Sequence, residues 1–502
     1  NIKNKFMCGI FVVINKKLKP LNVNKCKEGL EQLKNRGPNW QFYKMLSPHI
    51  FMSQTVLSMT GKIKKDINQH YSDNKKKFIV FNGEIYNYEK LSKTYLNPKI
   101  YKGNSDTKVL VNLIDKVNIK NLNTLLDGMY AFVVFDMLKN ELILNRDPQG
   151  EKIIYIYEDN EEIILSSEIK SIIYYTKKAK INKNILKNYF YTRHLIQFDK
   201  TIFKNIKILE PGHLKVLDLK NFKFKLLSTI SLGDMISQAD YNHNLKRKEN
   251  DLVEELDFLL EKNTKQMIPR GRKFVSVVSG GIDSSLLSHY ISKNSSPEKL
   301  ICLNHVGKDE LSHCIKIFEK ELKFKISHYD IYPKDYYLNL IDALKACNGP
   351  VHSHSFVGQL IMSKIINKSG CKALFVGEGA DELFGGYDTY RQKINNPKIN
   401  QSNYSKILKS NLFLKDNEFY EFKSNINKHW KNSLGKFDFI ENEDHKNRLA
   451  MMLMDSTIQL SSNGLRGADL MAMLHSVEAR SVFLRRDIVK FALNLPLKFK
   501  ID

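Results

Sequence analysis

The sequence predicts two domains: an N-terminal one of alternating strands and short helices, and a C-terminal doubly wound α/β domain with a mainly parallel sheet. Three observations predict it. At 502 residues the chain is too long for one ordinary core. Near Asp251 short β-rich runs give way to strands alternating with helical stretches. The strand Lys273–Val278 then passes through Ser279-Gly280-Gly281 into a helix, the strand–turn–helix step of a parallel sheet.

In chain order, Cys8–Ile14, Lys77–Phe81, Tyr130–Phe135 and Ile163–Leu165 are strand-like runs rich in Val, Ile and Phe, separated by Gly, Asn and Asp turns. Lys183–Tyr191 reads as a helix and Leu209–His213 as a turn before another strand. The first domain is expected over 7–222. Residues 223–250 lose apolar periodicity and gather Ser, Asn and Lys, and read as a linker. The second domain, 251–502, opens with helical spacing over Leu252–Leu260. Asp283–Lys293 reads as a helix, and Leu300–Asn304, Lys325–Tyr329 and Ala373–Val376 as short strands.

Composition bounds the function. A 42% hydrophobic content suits two buried cores, and no apolar run approaches the ~18 residues of a spanning helix. Neither a CxxC pair nor a His cluster with zinc spacing is present, and six scattered cysteines suggest reduced thiols in a cytosol. The formal charge of +25 could mark a nucleic-acid surface, but the lysines are spread through the whole chain and no nucleic-acid motif accompanies them. No nucleic-acid or membrane partner is expected; a homodimer is left open.

The string Ser279-Gly280-Gly281-Ile282-Asp283-Ser284-Ser285 puts backbone N–H groups and hydroxyls at the positive end of a helix, a cradle for an anion. Asp283 among phosphates is repelled unless a divalent ion lies between, so it is assigned to Mg²⁺. The string resembles the pyrophosphate loop of the N-type ATP pyrophosphatases and is not a Walker loop. Val376-Gly377-Glu378-Gly379-Ala380-Asp381-Glu382 resembles the asparagine synthetase segment that faces that loop. The resemblance implies ATP bound at Val278, Ser279, Gly280, Gly281, Asp283, Ser284, Ser285, Val376 and Gly377. It further implies Mg²⁺ shared by Asp283 and Asp381, and Glu378 assisting adenylation.

At the other end, Met7-Cys8-Gly9-Ile10-Phe11 resembles the opening of class II glutamine amidotransferases, where Cys becomes the N-terminal residue and its freed amine serves as base for its own thiol. Asn82-Gly83-Glu84 matches the family's oxyanion-hole string. The match implies Asn82 and Gly83 as oxyanion donors and Glu84 near the glutamine, and Ser105-Asp106-Thr107 resembles the family element whose Asp holds the glutamine α-ammonium, which implies Asp106 there. Leu126–Phe132, Arg146-Asp147-Pro148 and Ser166–Lys170 match scaffold strings in family order. The family's αββα sandwich of Ntn type is the implied fold. Two departures stand out. Val56 occupies the place of the arginine that holds the glutamine carboxylate, so Arg36 is expected to substitute. Asn1–Phe6 precede Met7, so translation from Met7 or removal of the extension is expected.

Leu465–Met473 and Val477–Leu484 resemble the synthetase string around VEARVPFLD, with Leu470 and Arg485 departing from it, and helical spacing places Arg480 on a helix. Glu478 and Arg480 suit an internal ion pair or the site equally. The acceptor pocket is expected near Gly349–Phe356. No KxxLR-type string follows Leu484, so a further segment carrying it, and little synthetase turnover without it, is expected. The resemblance implies glutamine-dependent amidation of aspartate through an acyl-adenylate. A sugar acid or other carboxylate is the alternative acceptor, and a catalytically silent binding module the alternative of another class.

Overall fold

The computed structural model describes residues 6–59, 65–97, 105–192, 199–269, 271–306, 312–322, 325–351, 353–391 and 420–501. Asn1–Lys5 and His352 lie outside the described residues. None of the described helices is long and apolar enough to cross a membrane.

The N-terminal strands are β1 (Phe6–Asn15), β2 (Trp40–Ser47), β3 (Ile50–Ser58), β4 (Lys77–Ile85), β5 (Gly128–Asp136), β6 (Glu141–Arg146), β7 (Tyr155–Glu158), β8 (Glu162–Ser166), β9 (Ile206–Ile208), β10 (His213–Asp218) and β11 (Lys223–Thr229). They form two antiparallel sheets, ordered β2-β3-β1-β8-β7-β9 and β11-β10-β6-β5-β4. Side chains alternate along β1. Cys8, Ile10, Val12 and Ile14 pack between the sheets with Phe78, Val80, Ala131 and Val133. Phe11 and Val13 pack outward among Leu30, Ile172 and Tyr175 of the helices Val23–Glu31 and Ile169–Thr176. On the far side the helix Asp106–Leu113 covers Ile79, Phe81, Phe132 and Val134. These layers make the αββα sandwich. Because both faces of each central strand are covered, the strands read as nearly continuous apolar runs.

The C-terminal sheet is parallel throughout: β12 (Phe274–Val277), β13 (Lys299–His305), β14 (Ile326–Ile331), β15 (Ala373–Val376) and β16 (Glu478–Ser481), ordered β14-β13-β12-β15-β16. Chain order runs one way from β12 to β14 and restarts on its other side at β15. The carboxyl ends of β12 and β15 therefore flank the crevice where open α/β sheets bind ligands.

Three expectations are corrected. The stretch 223–250 is not an unstructured linker: Lys223–Thr229 is the edge strand β11, and helices Gln238–Leu245 and Glu249–Met267 follow. Its polar pattern reflects an edge strand that is largely open to solvent. Asn82-Gly83-Glu84 does not follow β4 but lies within it. Arg480 lies not on a helix but on β16, pairing Phe375 of β15. Alternating charges hid that strand, because Glu478 and Arg480 are both fully buried.

Those charges join the two halves. Arg480 Nη2 meets Glu84 Oε2 of β4 at 2.7 Å and its Nε meets Glu478 Oε1 at 2.7 Å, so Glu478–Arg480 is an internal ion pair that also reaches across the seam. Arg480 also donates to Met267 O. Beside it, Arg36 bridges Glu168 at 3.3 Å and Asp469 at 2.9 Å, and Lys152 adds a second cation to Asp469 at 2.9 Å. Burial pushes the Asp469 carboxyl up, but Arg36 and Lys152 outweigh it and hold it at about 2. Around these pairs Leu57, Met59, Tyr86 and Met129 of the first half pack with Leu252, Leu260, Phe375 and Phe483 of the second.

Removing one partner of a buried pair leaves the others uncompensated, at a cost of about 3–5 kcal/mol. Arg480→Met is therefore expected to lower the urea midpoint of unfolding markedly, by stranding Glu84 and Glu478. An unchanged midpoint would mean that the seam does not depend on this cation.

Candidate active sites at the two ends of one seam

The first site lies between the two sheets of the sandwich. β1 pairs β3 so that Cys8 stands opposite Val56, and both point into the core between the sheets. The Cys8 N–H donates to Asn82 Oδ1 at 3.4 Å, which brings the N-terminal cysteine string and the oxyanion string together across the two sheets. Asn82 is fully buried, and its Nδ2 has no hydrogen-bond partner among the described residues. A buried amide N–H left unmade is costly, so this one is a donor available to a group bound beside Cys8.

Gly83 supplies the adjoining backbone. Its φ of +140° favours glycine, and a Cβ there would lie 2.0 Å from Met129 O. Asp106 starts the helix Asp106–Leu113; its Oδ2 accepts from Ile85 N at 3.1 Å and its Oδ1 from Thr107 N at 2.8 Å. Burial pushes the Cys8 thiol well above its ordinary range; Gln54, which donates to Sγ, and the charge of Arg36 pull it down, while Asp106 pushes it further up.

Two expected glutamine contacts are placed otherwise. Arg36 is wholly buried, with its guanidinium taken by Glu168 and Asp469 and its Nε directed at Cys8 O at 3.4 Å. Its guanidinium thus has carboxylate partners within the chain, and its Nε ties it to the strand that carries Cys8. Glu84 sits one residue past Gly83, and its carboxylate pairs with Arg480.

The second site opens at the switch point. A cavity of about 290 Å³ is lined by Ser279, Gly281, Asp283 and Ser284 from the loop after β12, and by Val376, Gly377, Glu378 and Asp381 from the loop after β15. The loops abut: a Cβ on Gly377 would lie 3.3 Å from Asp283 Cβ. Val278, Gly280 and Ser285 are not among the lining residues. Gly280, at φ +86°, makes the turn, and Val278 is held beneath it by a bond from its N–H to Ile301 O. The Ser284 hydroxyl pins the loop, meeting Ser279 N and Oγ at 3.0 Å.

Carboxyls crowd this cavity. Burial and the charge of Asp381 push Asp283 up to about 6. Burial and Asp381 also push Glu378 up, and burial pushes Glu382 up to about 7. Neighbouring carboxylates disfavour one another's ionised forms, and a hard cation bound among them would relieve that. Gln359 Nε2 donates to Glu378 Oε1 at 3.1 Å, and a π-helix over Asp455–Gly464 brings Gly464 beside Glu378.

Motif reading missed Gln359 and Met362 and gave no site role to Ala468 and Ala472 of the Leu465–Met473 string; all four line the cavity. They sit on the helices His354–Lys368 and Leu465–Leu474, where helical spacing reads simply as core. Glu382 and Tyr387 were legible as members of the acidic string and its glycine-rich continuation. The described residues of Gly349–Phe356 are not among those lining the cavity: Val351 O accepts from Tyr189, and Phe356 packs against Gly467.

With this geometry in hand, comparison with known proteins accounts for both halves. Residues 7–226 match the model of the glutamine amidotransferase domain, and residues 255–502 that of asparagine synthase. Glutamine-hydrolyzing asparagine synthetase 2 of Bacillus subtilis is 23% identical over 98% of this chain and 67% of its own length. Asparagine synthetase 1 of the same organism is 26% identical over 98% of this chain and 82% of its own. Amidase chry2 of Gibberella zeae is 23% identical over 74% of this chain and 56% of its own. The buried Cys8–Asn82 pair and a switch-point cavity on one chain, each inside the matching domain model, lead to one statement: the chain belongs to the asparagine synthetase family, with a glutamine amidotransferase domain joined to an asparagine synthase domain.

Proposed function

We propose that this chain makes a carboxamide from a carboxylic acid, ATP and the amide nitrogen of glutamine, with aspartate as the acid. The observation that carries the reading is the unpartnered Asn82 Nδ2 buried beside Cys8, in a chain whose other half holds a carboxylate-rich crevice at a topological switch point.

In the first site the Cys8 thiol, deprotonated by its own amine once that amine is free, attacks the glutamine amide carbon. Asn82 Nδ2 and the Gly83 N–H hold the oxyanion. Ammonia leaves, and water cleaves the thioester to glutamate. In the second site the acid's carboxylate attacks the α-phosphorus of ATP and displaces pyrophosphate. Ammonia then attacks the acyl carbon and AMP departs. Adenylation is required because a carboxylate is a poor electrophile. Asp283 and Asp381 are the residues that would hold Mg²⁺, whose charge would offset that of the phosphates. Ser279, Gly281 and Ser284 orient the phosphate chain, and Glu378, raised by burial, is placed to hold or pass a proton.

One observation favours another acceptor. No Lys, Arg or His is among the described residues lining the cavity, whereas aspartate brings a second carboxylate. An acid with a single negative charge meets this lining at lower electrostatic cost. ATP–pyrophosphate exchange over a panel of acids decides: exchange with aspartate alone supports the first reading, exchange with another acid the second, and none at all a silent relative.

Cys8→Ala is expected to abolish glutamine use and leave ammonia-supported amide formation intact, since nucleophile and adenylation site lie in different domains. Equal loss with both nitrogen sources would sink the two-site scheme. Asp283→Asn is expected to remove pyrophosphate release and leave glutaminase activity in place; ATP turnover near the wild-type rate would reduce Asp283 to a helix-start residue.

A further inference from the structure

The side chain that meets the sulfur of Cys8 belongs to none of the motifs. Gln54 lies on β3, where the register sets it opposite Ile10, diagonal to Cys8 across the strand pair. It shares the inward face of β3 with Met52 and Val56 and is fully buried. Its Nε2 donates to Cys8 Sγ at 2.7 Å, and its Oε1 accepts the backbone N–H of Phe81 at 2.8 Å. Phe81 is on β4 of the opposite sheet, one residue before Asn82.

The second bond makes the first meaningful. A side-chain amide can be turned end for end, but a backbone N–H can only donate. With Oε1 committed to Phe81, the end facing sulfur is the donor end. One amide thus spans the sandwich, tied on one sheet to the strand of the oxyanion donors and aimed on the other at the nucleophile.

A thiolate in this place needs such a donor. Cys8 is fully buried, Asp106 adds negative charge, and the Arg36 charge that favours the thiolate is shared with Glu168 and Asp469. We propose that Gln54 is a catalytic residue of the glutaminase half, its Nε2–H stabilising the Cys8 thiolate as it attacks the amide carbon and again as it leaves the thioester. The amide stays neutral throughout. The sulfur's proton goes to the freed Cys8 amine, the S–C bond forms as the carbonyl π pair moves to oxygen, and the Gln54 hydrogen bond weakens as sulfur loses charge. This inference rests on the reading of Cys8 as nucleophile. The plain alternative is that Gln54 only pins the two sheets together.

Gln54→Glu separates the two roles, because it keeps an acceptor for Phe81 N–H and replaces the donor with a carboxyl. In the full chain, labelling of Cys8 by the glutamine analogue 6-diazo-5-oxo-L-norleucine is followed against pH by peptide mass spectrometry, beside glutamine kinetics. The half-maximal pH is expected to rise by about one unit or more. The kcat for glutamine is expected to fall about tenfold or more, with KM within about threefold. Gln54→Met, which removes the donor without adding charge, is expected to move both in the same direction, and serves if the glutamate variant does not fold. An unchanged pH profile and kcat in a folded variant overturn the proposal and leave Gln54 a pin. Cys8→Ala guards the underlying reading: glutamine hydrolysis persisting in that variant removes the nucleophile itself, whereas its loss beside unaffected Gln54 variants removes only the role of Gln54.

Discussion

A buried charge must be paired, and in this molecule that constraint joins the two halves. Arg36 and Arg480 are among its largest fully enclosed side chains, and each collects carboxylates from both domains. Desolvating a guanidinium is expensive, and the cost is recovered only if geometry and partners are right. Two domains that slid relative to one another would strand at least four charged groups. The ion pairs thereby specify one relative placement, a service the apolar cluster around Leu57 and Phe483 could not perform alone, because hydrophobic contact is not directional.

That placement has chemical consequences. Arg36 reaches from Asp469 to the carbonyl of Cys8, and the helix carrying Asp469 also presents Ala468 and Ala472 to the switch-point cavity. Arg480 reaches from β16 to Glu84, next to the oxyanion glycine, while its neighbour Ala479 lines the same cavity. The two candidate sites are thus connected through two short runs of packed, paired residues.

Inside the sandwich the polar groups follow the same logic on a smaller scale. Gln54 satisfies both ends of its amide across the sheets, Asn82 leaves one donor unmade, and Gly83 holds a backbone conformation that a side chain would obstruct. An unmade hydrogen bond in a buried place is a local cost that a bound group accepting it would remove. In the other domain the unrelieved term is charge, with Asp283 and Asp381 facing one another across two loops.

The sequence by itself determined what rests on local chemistry. The glycine turn of Ser279–Ser285, the acidic string at Glu378–Asp381, the apolar runs of β1, β4 and β5 and the alternation of strand and helix after Asp251 all follow from short-range patterns of conformation and burial. Only the tertiary structure decided the rest. β11 looked like linker because an edge strand has no buried face to impose alternation, and β16 looked like helix because its charges are neutralised by partners elsewhere in the chain, Glu84 being 396 residues from Arg480. The roles of Arg36 and Gln54 were hidden for the same reason. A side chain's identity announces what it can bond, but which partner it meets depends on strand register and on how two domains pack, and neither is written in any local stretch of the chain.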